Sequence, residues 1–75
     1  MKAFILITVS PNCEDSVHDN LTHMPEVKRA HMVFGPWDLI AEIETDNIQL
    51  LNDFAVEKLR KVENITSSST LIVAR

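Results

Sequence analysis

The sequence predicts an α+β fold built as strand, helix, strand, strand, helix, strand. Three observations carry that expectation. Two strand-like runs, Ala3 to Val9, rich in β-branched and aromatic residues, and Ile65 to Ala74, stand near the two ends of the chain. Two segments between them repeat their apolar residues at helical spacing. The only glycine, Gly35, followed by Pro36, divides a central run into two shorter strands. This order is the ferredoxin-like split βαβ, βαββαβ. Right-handed crossovers put both helices on one face of a four-stranded antiparallel sheet.

Each element follows from its residues. Ala3 to Val9 runs unbroken to Ser10-Pro11 and reads as a strand. Asn12 is suited to cap the helix that follows. Cys13, Val17, Leu21 and Met24 recur at helical spacing, with Glu14 and Asp15 favourably placed in the first turn. Pro25 ends that helix. Val27 to Phe34 is a second strand, Gly35-Pro36 a tight turn, and Trp37 to Glu44 a third strand, so that the pair forms a hairpin. Asp46 is suited to cap a second helix, with Gln49 three residues on as in a capping box. Ile48, Leu51, Ala55, Leu59 and Val62 form its apolar stripe, and Glu63-Asn64 breaks it. Ile65 to Ala74 closes the sheet.

Size and charge bound the function. Seventy-five residues make one domain, 1–75, and a domain this small gains much from self-association. The formal charge is −4, which argues against a surface that tracks phosphates, so no direct nucleic-acid contact is expected. Lys58, Arg60 and Lys61 cluster where they complement a helix C-terminus. The single cysteine, Cys13, cannot form an internal disulfide and fits a reducing, cytoplasmic setting. The N-terminal apolar run is too short to span a bilayer, so no membrane association is expected. Both faces of the first strand are apolar: Ala3, Ile5, Ile7 and Val9 on one, Phe4 and Leu6 on the other. With helices on one face only, a second subunit is the expected cover for the other, giving a homodimer packed sheet to sheet, a dimeric α/β-barrel-like assembly.

Few residues point to chemistry. His18, His23 and His31 lack metal-ligand spacing, and Cys13 has no second cysteine, so neither a metal site nor a cofactor is expected. Cys13 falls on the apolar stripe and reads as a packing residue. Asp38, Glu42 and Glu44 share one face of the third strand. Glu42 and Glu44 read as charges that protect an exposed strand edge. Asp38 is open to two readings. It closes its own turn, or it accepts a ligand ammonium beside turn amides that hold a carboxylate. The hydroxyls of Thr66 to Thr70 are poor core material and face water, a subunit seam or a ligand.

Taken together, "VFGPWDLIAEIETDN" and "ITSSSTLIVAR" resemble the effector-binding (RAM) domain of the Lrp/AsnC family. The hairpin signature there is a glycine, two residues and an aspartate, matched by Gly35-Pro36-Trp37-Asp38. A Ser/Thr run before an aliphatic tail is matched by Ser67 to Val73. The resemblance covers essentially the whole chain. It implies an amino-acid-binding module of transcription regulators that forms sheet-to-sheet dimers and, from them, octameric or decameric rings. It implies Gly35, Pro36, Trp37 and Asp38 as ligand-binding residues, with Ser68, Ser69 and Thr70 contributed by a neighbouring subunit. Helix-turn-helix residues are missing from the sequence, so a stand-alone form is expected, one that senses a free amino acid and mixes with full-length Lrp/AsnC regulators. The competing expectation is a small dimeric α/β-barrel enzyme, a monooxygenase or isomerase, with His31 and Trp37 as its candidates. No catalytic residue is otherwise expected.

Overall fold

The computed structural model describes residues 1–75 and has the expected element order. The strands are β1 (Lys2–Val9), β2 (Val27–Met32), β3 (Leu39–Glu44) and β4 (Ile65–Ile72). They form one antiparallel sheet in the order β2-β3-β1-β4. Helix α1 is Glu14–Thr22, and helix α2 is Ile48–Asp53, continued by a π-helical turn, Phe54–Lys58, and a 3-10 turn, Leu59–Lys61. Both helices bury side chains in one core: Val17 and Leu21 from the first, Leu51, Phe54 and Leu59 from the second. Strand alternation supplies the rest, with Ala3, Ile5, Ile7 and Val9 of β1 and Leu39, Ala41 and Ile43 of β3.

The opposite sheet face has no helix over it. Cross-strand register places Phe4 beside Glu42 and Leu71, Leu6 beside Ile40 and Ser69, and Thr8 beside Ser67. Phe4, Leu6 and Ile40 are half-buried, and Leu71 is 52% exposed. This apolar patch is the one anticipated from the doubly apolar first strand. Thr8 ends it: its Oγ1 lies 2.7 Å from Thr66 Oγ1 and 2.5 Å from Ser67 Oγ, beside a register shift in β4.

Several local expectations are corrected. Asn12 does not cap α1. It adopts φ 67°, a left-handed conformation that asparagine tolerates, and Cys13 occupies the cap position without a side-chain capping bond. Asp46 does not cap α2. Asn47 does, its Oδ1 accepting from Leu50 N at 2.9 Å, and Gln49 Nε2 donates to Asp53 Oδ1 instead of closing a box. The second helix buries Leu51 and Leu59 of the expected stripe but not all of it. Ile48 is 51% exposed while Phe54, outside the predicted stripe, is 1% exposed. The π turn explains how Leu59 keeps its place beside Phe54. At 3.6 residues per turn, five residues would carry Leu59 roughly 140° away from Phe54. The wider turn, closed by Leu59 N donating to Phe54 O, takes up most of that angle, so both side chains meet the core. Asn64, at φ 74°, breaks the chain before β4 as expected.

The third strand lies inside the sheet, not at its edge, so Glu42 and Glu44 do not guard an edge. They form ion pairs: Glu42 Oε2 with Arg29 Nη1 at 3.0 Å and Lys2 Nζ at 3.7 Å, and Glu44 Oε2 with Lys28 Nζ at 2.8 Å. Lys58 likewise is more than a helix-end cation. It reaches Glu26 Oε2 at 2.5 Å and ties the π turn to the start of β2.

Candidate functional site

The turn between β2 and β3 is longer than a two-residue hairpin turn. Val33 N donates to Asp38 O at 2.9 Å and closes a loop of Phe34, Gly35, Pro36 and Trp37. Gly35 has φ 133°, where other residues are strained, and a Cβ built there would meet nothing within 4 Å. Glycine is therefore required by the backbone angle, and the space over it is open. Pro36 has no N–H, and the amides of Phe34, Gly35 and Trp37 make no bond within the chain. Three backbone donors thus stand free around an unobstructed glycine, the elements of an anion-holding nest.

Asp38 holds this loop to the sheet. Its N–H donates to Ile7 O at 2.9 Å, and its Oδ2 accepts from Val9 N at 2.9 Å. So its turn-closing role reaches beyond its own turn and anchors the loop to the end of β1. The other carboxylate oxygen has no partner within the chain. Asp38 borders a cleft of about 380 Å³ that is also lined by Glu14, Asp15, Met32, Val33 and Phe34. Three carboxylates around one cleft favour a cationic group there. Phe34 stands fully exposed at its rim, and Trp37 is half-buried beside Asp38.

The hydroxyl strand divides between the two sheet faces. Ser68 pairs with Ile7 and Thr70 with Ile5, so both point toward the helix side, while Ser69 pairs with Leu6 and points to the open face. Leu39, Ile7 and Ser68 form one cross-strand row, which sets Ser68 about 10 Å from Leu39. Hairpin and hydroxyls thus share one end of the sheet, but β1 separates them within a chain. The structure brings Gly35, Pro36, Trp37 and Asp38 together and leaves Ser68, Ser69 and Thr70 apart from them.

The remaining candidates fall elsewhere. His31 pairs with Ile40, exposed on the open face away from the helices, and no hydrogen bond orients it. His18 Nε2 lies 2.9 Å from Ala30 O and joins α1 to β2, and His23 Nδ1 lies 2.6 Å from Asp19 O at the helix end. Cys13 packs against the core. At the opposite end of the sheet, a cleft of about 460 Å³ is lined by Glu26, Glu44, Asp46, Asp53 and Glu57 together with Lys58. Glu26, held below the ordinary carboxylate range mainly by its hydrogen bond from Lys58, was not singled out in the sequence because its partner lies 32 residues away. No helix is long and apolar enough to cross a membrane.

Comparison with known proteins agrees with this fold. The HTH-type transcriptional regulator FL11 of Pyrococcus horikoshii is 29% identical over 75 residues, covering all of this chain and 49% of that protein. The chain spans about half the length of the curated relatives it matches. Among solved structures, FFRP-DM1 superposes with a TM-score of 0.92 at 43% identity, covering 96% of each chain. AsnC of E. coli superposes with a TM-score of 0.93 at 25% identity, over 99% of this chain and 50% of that one. NMB0573 of Neisseria meningitidis, solved as a complex with L-Met, shares the fold with a TM-score of 0.89 at 14% identity, over 99% of this chain and 49% of its own. The family model for the Lrp/AsnC ligand binding domain matches residues 2–75, and the chain belongs to that family.

Proposed function

We propose that the protein binds a free amino acid at the β2–β3 loop and passes that occupancy to an oligomeric assembly of transcription regulators. One observation carries the reading. Three unbonded amides around Gly35 stand beside Asp38, whose second carboxylate oxygen is unshared. Amides for a carboxylate and an acid for an ammonium are the two receptors that a free amino acid requires. The L-Met complex of the fold relative NMB0573 supports an amino acid as the ligand class.

Gly35, Pro36, Trp37 and Asp38 form the receiving loop, and Ser68, Ser69 and Thr70 serve a seam with a neighbouring subunit. The apolar patch of Phe4, Leu6, Ile40 and Leu71 supports a dimer packed sheet to sheet, assembling further into an octameric or decameric ring. Both helices are committed to the sheet core, so neither is left to enter a DNA groove. Co-assembly with full-length relatives in the cytoplasm is the route of regulation that this reading favours. Titration calorimetry with a panel of free amino acids tests the proposal. Heat with one or a few of them, lost in Asp38→Asn, is expected. Silence across the panel from a folded, assembled protein would refute it.

A further inference from the structure

The open sheet face carries one imidazole. His31, Ile40, Leu6 and Ser69 form a cross-strand row on that face, next to the row of Arg29, Glu42, Phe4 and Leu71. His31 is therefore contiguous with the apolar patch, and it is exposed. An imidazole is the side chain that changes its charge between about pH 5 and 8. The acids around this ring are already committed. Glu42 is shared by Arg29 and Lys2, and Glu44 holds Lys28. Asp38 turns its carboxylate toward β1, where Oδ2 accepts from Val9 N. Residues alternate along β2, so Ala30 and Met32 face the other side. There His18 of α1 meets Ala30 O, and Glu14 and Asp15 border Met32, so these groups of α1 do not face His31. Lys2, Lys28 and Arg29 thus outnumber Glu42 and Glu44 around the open face, and a protonated His31 adds to the sign already in excess.

We propose that His31 makes the sheet-to-sheet dimer pH-sensitive: the seam closes over neutral rings and loosens when they gain protons. The inference rests on the dimer reading above and adds the condition under which that dimer lets go. In a two-fold dimer one patch serves both subunits, so the effect of His31 enters twice. A cation buried beside Ile40 and Leu6 without a carboxylate partner costs far more than a neutral ring in the same place. Association therefore favours the neutral form and releases protons. The dimer is tightest above the imidazole's titration range and weakens as pH falls through it. Where only neutral rings enter the seam, each pH unit below that range raises the dimer Kd about a hundredfold, about tenfold for each of the two rings.

The test is the dimer Kd, read by light scattering across dilution between about pH 8 and about pH 5.5 at fixed ionic strength, a range in which ordinary carboxylates stay ionised. The wild-type Kd should rise at least about tenfold toward the acid end. His31→Gln, neutral throughout, should dimerise with a Kd that is constant over the range. His31→Lys, charged throughout, should dimerise weakly at both ends. His18→Gln and His23→Gln should keep the wild-type response. Circular dichroism on the same samples should stay constant, and a loss of helix signal alongside dissociation would overturn the proposal in favour of acid unfolding. A constant wild-type Kd, or a wild-type response that survives in His31→Gln, would overturn it while leaving the dimer in place. A protein that is monomeric at every pH would overturn the seam as well, so the two failures are told apart.

Discussion

Replacing Asp38 separates its two roles, because each substitution removes a different part of the carboxylate. Oδ2 accepts from Val9 N at 2.9 Å, and Val9 is only 8% exposed. Asp38→Ala leaves that buried N–H without a partner, which costs about 1–3 kcal/mol. At about 4–8 °C per kcal/mol for a domain of this size, the melting temperature should fall by about 4–24 °C. Asp38→Asn keeps an oxygen for Val9 and loses only the charge assistance. Charged bonds contribute about 1.5–3 kcal/mol and neutral ones about 0.5–1.5 kcal/mol, so the loss is about 1 kcal/mol and the melting temperature falls by about 4–8 °C. Amino-acid binding should respond in the opposite proportion. Loss of the charged bond to the ligand ammonium weakens affinity about 10- to 150-fold in Asp38→Asn, although that variant remains folded. Calorimetric affinity, thermal melting and light scattering on the same samples form the assay. An Asp38→Ala protein that melts with the wild type would refute the anchoring role. An Asp38→Asn protein that is folded, assembled and unchanged in affinity would refute the ligand role.

Leu71→Asp puts an unpaired carboxylate on each side of the expected sheet-to-sheet seam, at several kcal/mol each. The dimer Kd should rise more than about a hundredfold, read by light scattering across dilution. A wild-type protein that is monomeric at micromolar concentration would remove the seam altogether. Phe54→Ala should cost about 3–5 kcal/mol in urea melts, and Ile48→Ala about 1 kcal/mol or less; similar costs would contradict the register set by the π turn. The hydrogen bond from Lys58 holds Glu26 below its ordinary pKa of 4.5, so the folded state favours its ionised form. Stability from this pair is complete above about pH 4.5 and declines as pH falls through the lowered value. Glu26→Gln should flatten that acid limb of a stability-against-pH curve. An identical limb in the variant would show that Lys58 contributes nothing there.

Periodicity made the element order legible, because strand and helix signals here are local. The open apolar face was equally legible, since Phe4 and Leu6 alternate with Ile5 and Ile7 in a single short stretch. The caps were displaced by one residue each, and for a reason: Asn12 and Cys13, like Asp46 and Asn47, are adjacent residues whose assignment depends on backbone angles. Asn12 takes the left-handed turn and Asn47 the capping bond. Phe54 was missed because the expected stripe assumed a uniform 3.6-residue period, which the π turn interrupts. At the candidate site, the order Gly35-Pro36-Trp37-Asp38 marked the loop. The bond from Val9 N to Asp38 and the pairing of Lys58 with Glu26 depend on contacts between distant parts of the chain, which no local pattern records.

The three-hydroxyl cluster of Thr8, Thr66 and Ser67 bears on how β4 finds its place. Strand pairing is ordinarily held by alternation, since a one-residue slip would turn the core side chains outward. From Thr66 to Thr70 every side chain is a small hydroxyl, so alternation says little there, and a two-residue slip would even preserve which side each residue faces. Leu71 and Ile72 resist such a slip at one end of the strand. At the other end, the left-handed turn at Asn64, the extra residue at the register shift and the hydroxyls closed on Thr8 act together as a latch. Thr8→Val, which keeps the shape and removes the latch, would therefore leave a strand that docks in more than one position, visible as added slow phases in refolding and doubled resonances along β4.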